Sequence, residues 1–465
     1  MTANIKTAIF SISFLLSALA AGFTVSRYSP KMMLSAMGAA GIFLVSFINT
    51  QWGLFLLIFS MLLSPEFTVG TTSGTTLGRG VSLRMDDFLL LVIGLTWFFK
   101  TAYFKHLGLL KKTPLNNPIF LYILACALST GVGIMAGRVS AKTGFFYVLK
   151  YFEYCFVFFM MVNHVENKDQ IKKFIFCIFL TCFITCIIGI LQIPSGGRVS
   201  APFEGETGEP NTFGGYLIFI GAIAGGLFST SDNLKGKVLT GFLLAVMILP
   251  FLYTRSRSSY LAFIPVFLIL GAMSEKRALV LSVMVLCLAL SPLFMPGAVK
   301  ERIFFTFSQP RERGQIKVGN IHIDTSTSAR LNSWKHAIRD WTKHPLLGFG
   351  VTGYSFLDAQ FPRVLVETGI VGMSAFIYLL YSIFRLAFIN LKTLKNPYYI
   401  GITRGFIAGF AGLIFHAIGA NTFIIVRIME PFWFLAGIIV VLPGLELNQD
   451  VMLASEYSYA FTSKK

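Results

Sequence analysis

Four short segments of this sequence carry residue types that could bind or transfer a charged group. The first is Gly208-Glu209-Pro210-Asn211-Thr212, just ahead of an apolar stretch. Proline and asparagine there can shape a helix start whose free N–H groups attract anions; the plainer reading is an ordinary helix cap. The second is Thr254-Arg255-Ser256-Arg257-Ser258, between two apolar stretches. Two arginines between membrane crossings are costly to insert and tend to face a polar cavity, or else snorkel to headgroups. The third is Arg330 with Trp334 four residues on, a ligand contact or a solvated face with an interfacial anchor. The fourth runs from Asp358 through Arg363 to Glu367 and Gly369, entering another apolar stretch. A carboxylate at the depth of Glu367 needs a partner, so an arginine ion pair is the alternative to chemistry there. Lys150 and Glu153, one turn apart, read as a structural pair.

The elements that must position these residues follow from composition. Of 465 residues 55% are hydrophobic and only 13% charged, with mean hydropathy +0.71. A soluble domain carries roughly a quarter charged residues, so water is not the only solvent. Apolar stretches occur near 7–27, 31–48, 52–64, 87–103, 118–136, 144–163, 171–192, 212–229, 237–253, 258–273, 277–295, 364–390, 399–420 and 425–443. They predict an all-α polytopic membrane protein with about 12–14 transmembrane helices. The first stretch follows Lys6 and is long for a signal peptide, so it is expected to be an uncleaved anchor.

The formal net charge is +18. With the N-terminus inside, every dense lysine cluster falls on the cytoplasmic side: Lys100 to Lys112, Lys168 to Lys173, Lys235 and Lys237, Lys276 with Arg277, Lys392 and Lys395, and Lys464 with Lys465. Positive-inside topology therefore accounts for most of the excess, and no nucleic-acid partner is expected. The same assignment sends the segments at 64–86, 193–211, 254–257 and 296–363 outside. These segments and the outer turn near 137–143 hold none of the dense lysine clusters and carry Arg84, Arg138, Arg198, Arg255, Arg257, Arg302, Arg311, Arg313, Arg330 and Arg363. Arginine grips phosphate oxygens with a planar fork, which lysine lacks. An anionic lipid-linked substrate would explain them.

The resulting layout is about 11 transmembrane helices over 1–295, a periplasmic loop over 296–363, about 3 helices over 364–445 and a cytoplasmic tail over 446–465. Within the loop, Arg330, Trp334, Ala337, Ile338 and Trp341 recur at helical spacing. They predict an amphipathic helix over 329–342 on the membrane surface, capped from among Thr325, Ser326, Thr327 and Ser328. Pro345 ends it, and Gly348 and Gly350 allow a tight turn. The six cysteines all lie in apolar runs, so no disulfide framework is expected; the histidines are scattered without zinc spacing.

The order of these motifs resembles the O-antigen ligase/polymerase family. It comprises Glu209-Pro210-Asn211, Ser256-Arg257, Arg330 with Trp334, Pro345 to Gly350, then Leu365-Val366-Glu367-Thr368-Gly369 and Gly372. The likeness covers about 195–375 by motif and the remainder by helix layout. It implies a membrane glycosyltransferase of the GT-C type whose donor is a glycan on undecaprenyl pyrophosphate. Arginines matching Arg257 and Arg330 would hold the pyrophosphate, with Arg198, Asn211, Arg255, Trp334 and Arg363 as further substrate contacts. An acceptor hydroxyl would displace the carrier at the anomeric carbon with inversion, and Asp358 or Glu367 would take its proton. No metal or other cofactor is required if arginines neutralise the leaving pyrophosphate.

Many ligases of the family have a His-Asn pair where this sequence has Asp358-Ala359. The departure points to a polymerase, whose acceptor is another lipid-linked glycan, with transfer to lipid A-core as the alternative. The implied setting is the bacterial inner membrane with a periplasmic active face, with a flippase and a chain-length regulator as further partners. A transporter would place charges or helix breaks near mid-membrane, whereas here they gather at the outer helix ends.

Overall fold

The computed structural model describes residues 30–68, 82–103, 110–204, 208–274, 324–355 and 357–462, with isolated residues between 275 and 323. The chain divides into two units, Met1–Leu57 with Asp86–Leu109, and Ile58–Met85 with Leu110–Lys465. Its helices are α1 (Pro30–Ile48), α2 (Thr50–Leu63), α3 (Met85–Tyr103), α4 (Asn116–Met135), α5 (Ala141–His164), α6 (Lys168–Gln192), α7 (Pro210–Thr230), α8 (Leu234–Tyr253), α9 (Arg257–Ala272), α10 (Thr325–Trp341), α11 (Gln360–Thr393), α12 (Pro397–His416) and α13 (Val426–Thr462). Two short antiparallel pairs, at Glu66–Thr68 with Ser82–Arg84 and Lys317–Val318 with Ile321–His322, do not alter the all-α class.

Among the described residues eight helices are long and apolar enough to cross a membrane, and Thr50–Leu63 and Arg257–Ala272 are shorter apolar helices. The protein is an all-α, multi-pass membrane protein. The expected stretch at 7–27 and most of that at 277–295 lie outside the described residues. So do Arg302, Arg311 and Arg313.

In the second unit α7 and α12 are closely packed. Gly401, Gly405 and Gly409 recur every four residues on one face of α12. A Cβ at Gly405 would sit 2.6 Å from both the Ala222 carbonyl oxygen and Ile223 Cα, and one at Gly226 would meet the Gly401 carbonyl at 2.2 Å. Small residues at this spacing let backbones approach, which is how helices gain packing energy where lipid supplies no hydrophobic drive. This face places the start of α7 beside the end of α12. Because α4 to α9 and α11 to α13 run alternately up and down, the same end collects the ends of α4, α6, α8 and α12 and the starts of α5, α7, α9, α11 and α13.

Helix α11 is broken at Gly369, with φ 65° and ψ −167°. A break at membrane depth strands backbone groups that must find partners. The segment 345–350 supplies them. Ile370 and Val371 donate to the carbonyls of Pro345 (2.9 Å) and Leu346 (3.2 Å), and Phe349 and Gly350 donate to those of Val366 (2.9 Å) and Glu367 (2.8 Å). Ser129 Oγ donates to the Glu367 carbonyl at 2.7 Å. Left-handed Gly348 (φ 67°) and Gly350 (φ 95°) give the expected tight turn.

The amphipathic helix forms, with different ends. It starts four residues earlier than its apolar spacing suggests, at Thr325. None of Thr325, Ser326, Thr327 or Ser328 is the N-cap. That residue is Asp324, whose carboxylate accepts from the Thr327 N–H at 3.4 Å. An aspartate ahead of the hydroxyl run outcompetes it because its charge also favours the positive helix end. One face of α10 packs through Ala337 against Leu357 and Val366, with Trp341, Phe349 and Tyr354 around them.

Candidate functional site

The arginine-rich turns and α10 meet at the end of the bundle where α9 and α11 begin. Arg257 Nη1 donates to Asp324 Oδ2 at 2.7 Å and to Thr327 Oγ1 at 3.4 Å. The first residue of α9 therefore holds the cap of α10. Burial alone would push the Asp324 carboxyl up, but the hydrogen bonds from Arg257 and Thr327 outweigh it and hold it below the ordinary carboxylate value. The opposite edge of the Arg257 guanidinium is different. Nε and Nη2 are both shielded and have no hydrogen-bond partner among the described residues.

Arg330, on the second turn of α10, reaches across to the segment before α11. Its Nε and Nη2 donate to Asp358 Oδ2 at 3.2 and 2.6 Å. Arg257 and Arg330 are thus joined through one helix, one at its cap and one on its side. Trp334, one turn further, has a shielded indole N–H without a partner. Lower on α10, Asp340 is held below the ordinary carboxylate range by hydrogen bonds from Lys343 and Tyr354, at 2.9 and 2.7 Å.

The second carboxylate candidate sits deeper. Glu367 is buried, and both its oxygens accept from Arg363 Nε at 3.1 Å. The pair spans one turn of α11, and the Arg363 guanidinium carbon lies 6.0 Å from the Tyr147 ring centroid. Arg363 Nη2 is shielded and unpartnered among the described residues. Arg363 pairs with Glu367 and not with Asp358, so the fold separates two carboxylates that share one sequence segment.

The remaining sequence candidates converge on the turn between α8 and α9. Asn211 Oδ1 accepts from Ser256 Oγ at 2.8 Å, and Ser256 caps α9 by accepting from the Ser259 N–H. Arg198 is exposed; its Nε donates to the Thr254 carbonyl at 2.9 Å and its Nη2 to the Arg255 carbonyl at 3.4 Å. Arg255 itself adopts φ 48°, and its shielded Nε is unpartnered among the described residues. Lys150 and Glu153 form the expected pair at 3.3 Å.

Arg84 departs from the expectation that outer arginines await phosphate. It is 2% exposed and donates to the Met61 carbonyl (2.8 Å) and Ser64 Oγ (3.2 Å). A buried guanidinium that closes the end of α2 is structural. Sequence reasoning passed over two residues. Asp324 lies just before the hydroxyl run it was expected to yield to. Arg427 is buried at the start of α13 and hydrogen-bonds the carbonyls of Leu62, Ser64, Pro202 and Phe203. Its signal was present: an arginine three residues before Glu430 within an apolar run is costly and rarely idle.

Residues 242–377 match a family model described as O-antigen ligase. The matched region begins within α8 and ends within α11, so it contains Arg255, Arg257, Arg330, Trp334, Asp358, Arg363 and Glu367. No curated protein matches the chain significantly.

Proposed function

We propose that this chain, whose residues 242–377 match the O-antigen ligase family model, is a glycosyltransferase that joins glycans carried on undecaprenyl pyrophosphate at the periplasmic face of the bacterial inner membrane. The observation that carries this reading is the unsatisfied Nε/Nη2 edge of Arg257. Two shielded donors of a cation without acceptors are unfavourable, and a phosphate with paired oxygens completes them in the bidentate geometry arginine prefers. Asp324 fixes the guanidinium by its other edge, so the fork is aimed before the ligand arrives.

Arg330 supplies the second cation. Both its hydrogen bonds fall on Asp358 Oδ2, leaving Oδ1 without a donor among the described residues. We assign Asp358 the acceptor hydroxyl: it orients the hydroxyl and takes its proton as the oxygen attacks the anomeric carbon. The bond from that carbon to the pyrophosphate breaks on the opposite face, giving inversion, and Arg257 and Arg330 stabilise the charge that develops there. Arginine cations do this without requiring a metal. Glu367, with both oxygens held by Arg363, serves as the anchor of the helix that follows Asp358, and Arg198, Arg255, Asn211 and Trp334 border the same end as substrate contacts.

The acceptor we propose is a second lipid-linked glycan, making the protein a polymerase of surface polysaccharide. The aspartate at position 358, in place of a family histidine, favours this assignment. The ligase reading, with lipid A-core as acceptor, has the description of the matched family model in its favour. Analysis of surface glycan in a deletion strain separates them. Loss of long chains with single repeat units still attached to lipid A-core supports the polymerase. Loss of all attached glycan, with polymer accumulating on the lipid carrier, supports the ligase. Unchanged glycan defeats both.

A further inference from the structure

A phenylalanine in an unfavourable backbone conformation stands clear of the protein next to the arginine-bearing turn. Phe203 has φ 60°, a region bulky L-residues rarely enter because Cβ crowds the backbone. The residue is 57% exposed, while Val199 and Ala201 on the same segment are 0% and 3% exposed. The ring makes no stacking contact among the described residues. Most other exposed apolar side chains lie on helix faces that lipid can cover, Leu110 and Leu346 being exceptions outside the helices. Phe203 lies on no such face.

The conformation is held from beneath. Arg427, 1% exposed, donates from Nη2 to the Phe203 carbonyl at 2.9 Å and from Nη1 to the Pro202 carbonyl at 2.7 Å. The same guanidinium reaches the carbonyls of Leu62 (2.6 Å) and Ser64 (3.4 Å). Its Nε lies 3.7 Å from Glu204 Oε1. Glu204 Oε2 accepts the N–H of Glu209 at 2.8 Å, immediately before Pro210 and Asn211. On the other side, the Val199 N–H donates to the Tyr253 carbonyl at 3.0 Å, and Arg198 Nε holds the Thr254 carbonyl. The segment is therefore tied at both flanks to the residues that start α7 and carry Arg255 and Arg257. Strain of this kind persists only where the surroundings over-determine it, and it concentrates at ligand sites.

We propose that Phe203 is a stacking platform for a sugar ring of the glycan substrate, with Arg427 as the positioning residue that holds it upright. The proposal rests on the glycan-transfer reading. Arginines recognise the pyrophosphate, which every lipid-linked donor shares, and so cannot distinguish one glycan from another. A pyranose presents an apolar C–H face whose polarised hydrogens suit the negative face of an aromatic ring, while its hydroxyls stay solvated at the edge. An exposed ring one loop away from the phosphate-binding turn is suited to that face. The other occupant of an exposed phenylalanine is the membrane interface, where apolar bulk is what counts. Leucine would serve there as well, and that difference makes the two distinguishable.

The test uses the full-length purified protein in bilayer nanodiscs with lipid-linked glycan extracted from the parent strain. Phe203→Leu and Phe203→Gly are expected to raise KM for the glycan about tenfold, with kcat falling less than KM rises. Phe203→Trp, which restores a ring, is expected to recover most of the loss seen with leucine. Glycine relieves the backbone strain, so its thermal midpoint should equal or exceed that of the parent while its KM still rises. A purely structural role predicts the opposite, with glycine the best replacement. A parental KM in either Phe203→Leu or Phe203→Gly overturns the stacking role. Arg257→Ala run alongside keeps the two ideas apart. Full turnover in that variant removes Arg257 from the mechanism, whereas absence of any transfer by the parent protein defeats the glycan-transfer reading itself. An inactive Arg257→Ala together with a parental KM in Phe203→Leu defeats only the platform.

Discussion

Arg330 and Asp358, 28 positions apart, meet through two hydrogen bonds that fall on one carboxylate oxygen, at 3.2 and 2.6 Å. The pair closes α10 onto the segment entering α11. It also brings the cation proposed to bind phosphate and the proposed proton acceptor into one contact, so that in the proposed mechanism each is released to a separate part of the substrate. Only a third of either side chain or less is exposed, which keeps the pair stronger than a fully solvated one.

Replacing Arg257 or Arg330 by alanine should abolish glycan transfer while leaving the protein inserted. Losing one partner of a charged, hydrogen-bonded contact costs about 2–5 kcal/mol, roughly a 30-fold or greater loss. Lysine should rescue poorly, because the second edge of the fork is gone. Donor-dependent and acceptor-dependent rates measured in proteoliposomes should show the larger defect for the donor. Full activity of both alanine variants removes arginine from the mechanism.

Asp358→Asn keeps shape and the contact to Arg330 but removes the base. Transfer should be lost with binding of the lipid-linked donor retained, as read by a pull-down on labelled donor. Near-normal chain length in a strain carrying this variant would pass the role to Glu367.

The Arg257–Asp324 bridge has a defined pH signature. The folded carboxyl titrates below the ordinary value of 3.8, so its stabilisation is complete above that value and fades as pH falls through the lower folded one. Between pH 7 and 5 the bridge should therefore contribute constantly. Thermal unfolding in detergent from pH 5 down to 2.5 should show a loss that is smaller in Asp324→Asn, which has nothing to protonate. Identical acid profiles for the two proteins would discount the bridge.

Gly369→Ala should destabilise by several kcal/mol, about 2–4 from backbone strain and displacement of the docked segment. The added Cβ would lie 2.2 Å from the Leu346 carbonyl oxygen at φ 65°. Proteolysis should then cut near 345–350 first. A parental melting point would mean that the break tolerates a side chain.

Single cysteines at Arg257 and Lys343 should react with an impermeant maleimide in intact spheroplasts, and one at Lys172 only after lysis. The native Cys126, Cys155, Cys182 and Cys186 are buried and should give little background. The reverse pattern would invert the proposed topology and remove the periplasmic mechanism with it.

What the sequence determined by itself was the solvent and the sorting of charge. Runs of apolar residues long enough to span a bilayer leave a chain few options besides helices, and the dense lysine clusters fall on alternate loops without reference to any contact. The four motif segments were legible because arginine, proline and paired carboxylates are expensive beside lipid. Pairing was not legible. Asp358 could meet Arg330 or Arg363, and Glu367 could meet either arginine; helix geometry decided, since Arg363 and Glu367 lie one turn apart on α11 while Asp358 precedes its first turn. The partner of Arg257 came from Asp324, far along the chain, because the start of α9 abuts the cap of α10. Arg427 and Phe203 were settled by tertiary structure for the same reason. One is a buried donor whose acceptors are carbonyls from distant segments, and the other a strained residue whose conformation those bonds impose; backbone carbonyls carry no sequence signature.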